Sequence, residues 1–303
     1  MTNLFKNSKA LLTLVSVSSV ITTASVAQAL TLKVEVENLG PDGGVALTPV
    51  WVGFHDGSFD SYNGGLPSEK GLERIAEDGN TMPISIDFLA NKTYVQGGMS
   101  GVFDSTQVGT RVDGAIGGGP ITAETMAMST FDVTPDESNR WFSYVSMVLP
   151  SNDYYVANGN PFAWDLMDLF TGNQSQISFN IGLPGTVNDA GTEVNNFSTS
   201  AGNGLFPELP AGQGGPNQGA DENGVNANVA DPYANFLNRP ANFDTAFADL
   251  DFNDTTLYPN GIASITISVE SQSVPESSTT VGLMAMVGLF VFGGLRRRNH
   301  HFN

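Results

Sequence analysis

The stretch Leu30-Thr31-Leu32-Lys33-Val34-Glu35-Val36, LTLKVEV, alternates apolar and polar side chains without a break. Successive side chains of a β-strand point to opposite faces, so a period of two puts Leu30, Leu32, Val34 and Val36 on a buried face and Thr31, Lys33 and Glu35 in water. The same pattern predicts strands at Met126–Val133, Trp141–Leu149 and 262–269, and the alternation over 82–88 (MPISIDF) reads as another. Clusters of Gly, Asn, Asp and Pro separate these runs where helical periods are missing, which predicts an all-β, antiparallel β-sandwich. One helix stands out at 67–79, where Ser68 can cap the start, Leu72, Ile75 and Ala76 form an apolar face and Gly79 can close the end. It is expected to plug one end or edge of the sandwich. A second helical turn is expected over 161–170, with Phe162, Leu166, Leu169 and Phe170 on one face. Residues 198–228 are rich in Gly, Asn and Pro and read as a long surface loop. A last strand follows that loop, so residues 30–272 are expected to form one domain carrying an insertion.

Both ends read as targeting segments. Lys6 and Lys9 precede an apolar run over 11–21 that leads to Ala27-Gln28-Ala29, the pattern of a secretory signal peptide over residues 1–29. At the other end, Val274-Pro275-Glu276-Ser277 is followed by an apolar stretch over 281–295 and by Arg296-Arg297-Arg298. Fifteen helical residues span only about 22 Å at about 1.5 Å each, short for a bilayer but tolerable with local thinning and snorkelling arginines. This tail, residues 273–303, resembles the PEP-CTERM sorting signal of Gram-negative bacteria, including cyanobacteria, with Ser277 where that motif has proline. The resemblance implies transient membrane insertion through the C-terminal transmembrane helix, removal of the tail by an exosortase, and delivery to the cell surface or extracellular matrix.

Charge and composition exclude several chemistries. Acidic residues outnumber basic ones by 31 to 12, and five of the basic residues (Lys6, Lys9, Arg296, Arg297, Arg298) lie in the end segments. Nucleic acid is therefore not an expected partner, since phosphate binding needs basic patches. There is no cysteine, and between the end segments His55 is the sole histidine, which disfavours tetrahedral zinc and a Ser-His-Asp arrangement. His55 in GFHDGSFD is expected to be a hydrogen-bonded histidine at a strand end, with a His55–Asp56 dyad as the alternative. GAIGGG at 114–119 lacks the order of a dinucleotide-binding loop.

Oxygen ligands, by contrast, are abundant, and Ca²⁺ accepts six to eight of them in flexible geometry. In NDAGTEVN, residues 188–195, Gly191 lets one tight turn present both Asp189 and Glu193 to the same ion. Asp132 in TFDVTP and Asp153 in SNDYYV lie at strands that can supply further carboxylates. Solvated charge and an acid/base pair are the competing readings of these acids. The acidic run DLDFND at 249–254 is expected to be an acidic strand or turn, since it lacks the glycine and distal Glu of an EF-hand loop.

HDGSFD (55–60), GLERIAEDG (71–79), SMVLPSNDYYVA (146–157) and NDAGTEVN occur in the order found in spondin domains, and the resemblance covers roughly residues 30–269. It implies an antiparallel β-sandwich holding one Ca²⁺, with Asp153 matching the acid of the Pro-x-x-Asp corner, Asp189 and Glu193 the two acids of the turn, and Asp132 the acid of the preceding strand. Glu193 stands where animal members have Asp, and the disulfide cysteines of animal members are missing. The implied function is a secreted, calcium-binding surface or matrix adhesion module, not an enzyme, whose ligand is an extracellular polysaccharide or matrix protein. A polysaccharide-active enzyme and a purely structural matrix component are the alternatives. Tyr154, Tyr155, Phe162 and Trp164 are candidates for an exposed aromatic platform that would favour glycan binding, or for core packing.

Overall fold

In a computed structural model, residues 29–90, 111–199 and 243–270 and most of 204–239 are described. Two antiparallel sheets face each other. The smaller is built around β1 (Leu30–Asn38), which is flanked by β5 (Met126–Val133) and β12 (Ala263–Val269), with β9 (Gln176–Ile181) outside β12. Pairing runs Leu32 to Phe131 on one side and Leu32 to Val269 on the other. Leu32, Val34 and Val36 are completely buried, as the opening alternation requires, while Lys33 and Glu35 form a surface ion pair at 2.9 Å.

The larger sheet has the order β11-β10-β7-β6-β3-β4, from β11 (Ala227–Asn228), β10 (Asn188–Asp189), β7 (Tyr154–Ala157), β6 (Trp141–Leu149), β3 (Val50–His55) and β4 (Val112–Ile116). Two short strands, β2 (Ala46–Leu47) and β8 (Trp164–Asp165), also pair with β6. Val52, Phe54, Phe142, Tyr144 and Val148 of this sheet meet Leu32, Val34 and Val36 of the smaller one in the main core.

The outer face of the larger sheet is covered as well. Residues 142–149 of β6 are buried without exception, because Val145 on the far side packs with Trp51 under α1 (Lys70–Asp78) and α2 (Met82–Leu89). The helix α1 therefore lies on a sheet face rather than plugging an end or edge. It closes as expected at Gly79, left-handed at φ 64°, whose amide donates to the Ile75 carbonyl at 2.9 Å. Its start differs: Glu69 is the N-cap residue, and the Ser68 hydroxyl donates instead to the Ala190 carbonyl.

The strand expected over 82–88 is a helix. Ile84, Asp87 and Phe88, three and four residues apart, are its buried positions, and Pro83, which would cost a ladder hydrogen bond in a strand, sits in the first helical turn. Alternation over seven residues also satisfies the four-residue helical spacing of Ile84 and Phe88, and burial between α1 and β4 decides the outcome. The turn expected over 161–170 is split between β8 and α3 (Met167–Phe170); Leu166 and Leu169 are buried, while Phe162 is 54% exposed.

After the long loop, Tyr233, Phe236, α4 (Phe243–Ala246) and Phe252 gather with Phe197 beneath Tyr154 in an aromatic cluster. Among the described residues no helix is long and apolar enough to cross a membrane. The segments expected to be a signal peptide and a sorting tail lie outside the described residues, apart from Ala29.

Candidate metal centre

The corner between β6 and β7 fixes Asp153. There the Ser151 hydroxyl donates to the Val148 carbonyl and accepts the Tyr154 amide at 2.9 Å. Asp153 is wholly buried; its Oδ2 accepts the backbone amides of Thr192 at 2.9 Å and Glu193 at 3.1 Å, while Oδ1 has no hydrogen-bond partner among the described residues. An unpaired buried carboxylate oxygen is costly, so a ligand at that atom would remove a real penalty.

Sheet pairing brings the second acid alongside. Asp189 on β10 lies opposite Tyr154 on β7, and the Ala190 amide donates to the Asp153 carbonyl at 3.1 Å. The Gly191 amide donates to Asp189 Oδ1 at 2.7 Å, and Asn195 Nδ2 donates to Asp189 Oδ2 at 2.9 Å, which orients the carboxylate. Gly191 is left-handed at φ 64°, and a Cβ there would lie 2.6 Å from the Val225 amide nitrogen. That tight approach lets the 220–226 segment lie along the turn, with the Glu222 amide on the Thr192 carbonyl at 3.0 Å and the Gly224 amide on the Gly191 carbonyl at 2.7 Å.

The third acid follows from this pairing. Asp153, Asp189 and Glu222 each place a carboxylate oxygen within 4.8 Å of the others. Burial, and then the Asp189 charge, push the Asp153 carboxyl well above the ordinary carboxylate range, and the same two causes raise Glu222. Among the described residues no ion pair reaches any of the three. Three converging carboxylates need protons or a cation, and an all-oxygen donor set suits a hard divalent ion.

The structure brings Asp153 and Asp189 together but not the other two expected ligands. Glu193 turns away: its buried carboxylate accepts from Gln213 Nε2 and from the Gly219 amide at 3.1 Å, so it ties the long loop down instead. Asp132 sits on the solvent face of β5, in the other sheet, accepting the Thr31 hydroxyl at 2.7 Å. Glu222 escaped the sequence reading because it comes from a loop distant in sequence. Its local signal, two acids before Asn223-Gly224 with Asn223 left-handed at φ 59°, is that of any acidic turn.

The remaining candidates lie outside this carboxylate group. His55 is buried; its Nδ1 accepts the Gly57 amide at 2.9 Å, and its Nε2 is 2.9 Å from the Ser143 hydroxyl. Burial, then the Arg111 charge, lowers its pKa to about 3, so it stays neutral, and Asp56 caps Ser58 instead of forming a dyad. In DLDFND, Asp251 and Asp254 accept turn amides from Asn253 and Thr256. Tyr154 and Tyr155 are core residues and Trp164 stacks on Phe179, leaving Phe162 as the exposed member of the aromatic set. No family model matches this chain, and no curated protein matches it.

Proposed function

We propose that the protein is a spondin-type, calcium-stabilised binding module, secreted and sorted to the cell surface or extracellular matrix, where it engages an extracellular polysaccharide or matrix protein without catalysing a reaction. The observation that carries the calcium reading is the carboxylate triad of Asp153, Asp189 and Glu222, with Asp153 Oδ1 at its buried end lacking a hydrogen-bond partner among the described residues. Calcium tolerates irregular coordination and accepts backbone carbonyls and waters for its remaining ligands, as suits a loop-built site; magnesium demands a tighter octahedron. The neutral, fully hydrogen-bonded His55 supports a binding role over a catalytic one, because neither ring nitrogen is left to act as a base.

Calorimetric titration of the chelator-treated protein tests the metal reading. Calcium is expected to bind with one-to-one stoichiometry and more tightly than magnesium. Asp189→Asn and Glu222→Gln should each weaken binding at least tenfold, whereas Asp132→Asn should leave it unchanged. Absence of calcium heat, or equal loss in the Asp132 variant, would remove the basis for the assignment. Secretion and sorting have their own test: the intact mass of protein recovered from native cell surfaces should lack residues 1–29 and Arg296 to Arg298. A membrane-embedded species retaining the arginines would contradict exosortase processing.

A further inference from the structure

Glu193 holds two parts of the metal centre with different atoms. Its backbone amide donates to Asp153 Oδ2 at 3.1 Å, so its main chain helps to fix the first acid of the triad. Its side chain is buried and takes both of its donors from the long loop: the Gly219 amide on Oε1 at 3.1 Å and Gln213 Nε2 on Oε2. Gln213 is itself braced, since Nε2 also donates to the Ser198 carbonyl at 2.9 Å and Oε1 accepts the Gln218 amide at 3.3 Å. Gly219 lies so close that a Cβ there would overlap the Glu193 carboxylate. From Gly219 the chain runs back along the turn. The Val194 amide donates to the Ala220 carbonyl at 2.8 Å, Glu193 faces Asp221 in an isolated β-bridge, and the Glu222 amide reaches the Thr192 carbonyl at 3.0 Å. The point that the carboxylate clasps is therefore the start of the short run that delivers Glu222 to the triad.

We infer that the Glu193 side chain is a positioning group for Glu222: it sets the cation affinity of the triad without touching the ion, by clamping the loop that brings the third carboxylate in. The inference rests on the calcium reading of the triad. A carboxylate is the group this clamp needs, because two N–H donors face it and both of its oxygens accept. An amide of the same size would turn its own NH₂ against one of those donors and leave it buried without an acceptor. Among the described residues no ion pair reaches Glu193, so these hydrogen bonds are what hold a buried acid in place there. To ligate the ion, the side chain would have to leave both donors and release the loop that carries Glu222.

A double-mutant cycle in calcium affinity, read by calorimetric titration on the full chain, tests the inference. Glu193→Gln should reproduce most of the loss of affinity seen in Glu222→Ala. In the Glu222→Ala background the same change should cost nothing further, within about twofold, because the clamp then positions no ligand. A Glu193 that ligated the ion itself, or that only stabilised the fold, would instead multiply the two losses. Amide hydrogen exchange in chelator gives a readout that needs no calcium. Glu193→Gln should speed exchange at Gly219 and Glu222 while the Gly191 amide, bonded to Asp189, stays protected; Glu222→Ala should speed neither. If the parent binds calcium and the two losses multiply, or if exchange at Gly219 is unchanged in Glu193→Gln, the inference is wrong and the triad stands. A parent that binds no calcium removes the assignment of the triad, and the inference with it.

Discussion

Calcium added to the chelated protein is expected to raise its melting temperature by about 5–10 °C. A ligand that binds only the native state adds RT ln(1 + [L]/Kd), about 2.7 kcal/mol at a hundredfold excess over Kd. For a domain of this size each kcal/mol moves the midpoint by about 2–4 °C. The sign of the accompanying pH effect follows from the raised carboxyls. Asp153 and Glu222 hold their protons more tightly in the folded chain than in the unfolded one. In chelator their contribution is therefore fully present below the ordinary carboxylate pKa of about 4 and lost as pH rises through the folded values. Saturating calcium should abolish that decline, because the ion takes the place of the proton. Asp189→Asn should remove most of the calcium response while raising the melting temperature in chelator, since it removes the charge that faces Asp153. Glu35→Gln, on β1 beside Lys33, is the control and should keep the full response. Scanning calorimetry in calcium and in chelator from pH 5 to 8 measures all of this, and identical midpoints in the two conditions would leave the acidic triad without an ion.

What was legible in the sequence followed from how local each determinant is. The strand β1 has one face on the core and one in water, so its alternation states both its conformation and its orientation. The strand β6 alternates less cleanly because both faces are buried, and the second burial, under α1 and α2, depends on elements that the sequence does not place. The segment 82–88 failed because Ile84 and Phe88 share a face in either conformation, and packing between α1 and β4 is a tertiary fact. The site divides the same way. Asp153 and Asp189 belong to a corner and a turn with recognisable glycine, proline and serine chemistry. Glu222 arrives only because β10 pairs with β11 and the 220–226 segment hydrogen-bonds along the turn. Asp132 looked equivalent to Asp153 because the strand pattern gives a residue's parity but not the sheet to which its strand belongs.

Gly191→Val is expected to cost more than about 2 kcal/mol of stability and to weaken calcium binding well beyond tenfold. A β-branched residue at φ 64° is strained by about 1–2 kcal/mol from its own backbone. The new Cβ would also lie 2.6 Å from the Val225 nitrogen and 2.8 Å from its oxygen, so the two segments must separate. Separation breaks the bond from the Gly224 amide to the Gly191 carbonyl, which holds the 220–226 segment and hence Glu222 against the turn. It also disturbs the Gly191 amide on Asp189 and the Thr192 and Glu193 amides on Asp153, so all three carboxylates lose their positioning bonds together. Gly185→Ala separates strain from displacement: Gly185 is left-handed too, at φ 79°, but among the described residues nothing lies within 4 Å of a Cβ there. That variant should lose about 1 kcal/mol in denaturant unfolding and bind calcium like the parent. If Gly191→Val also binds like the parent, the turn does not position the triad, and the coupling between the close approach at Val225 and the metal centre is wrong.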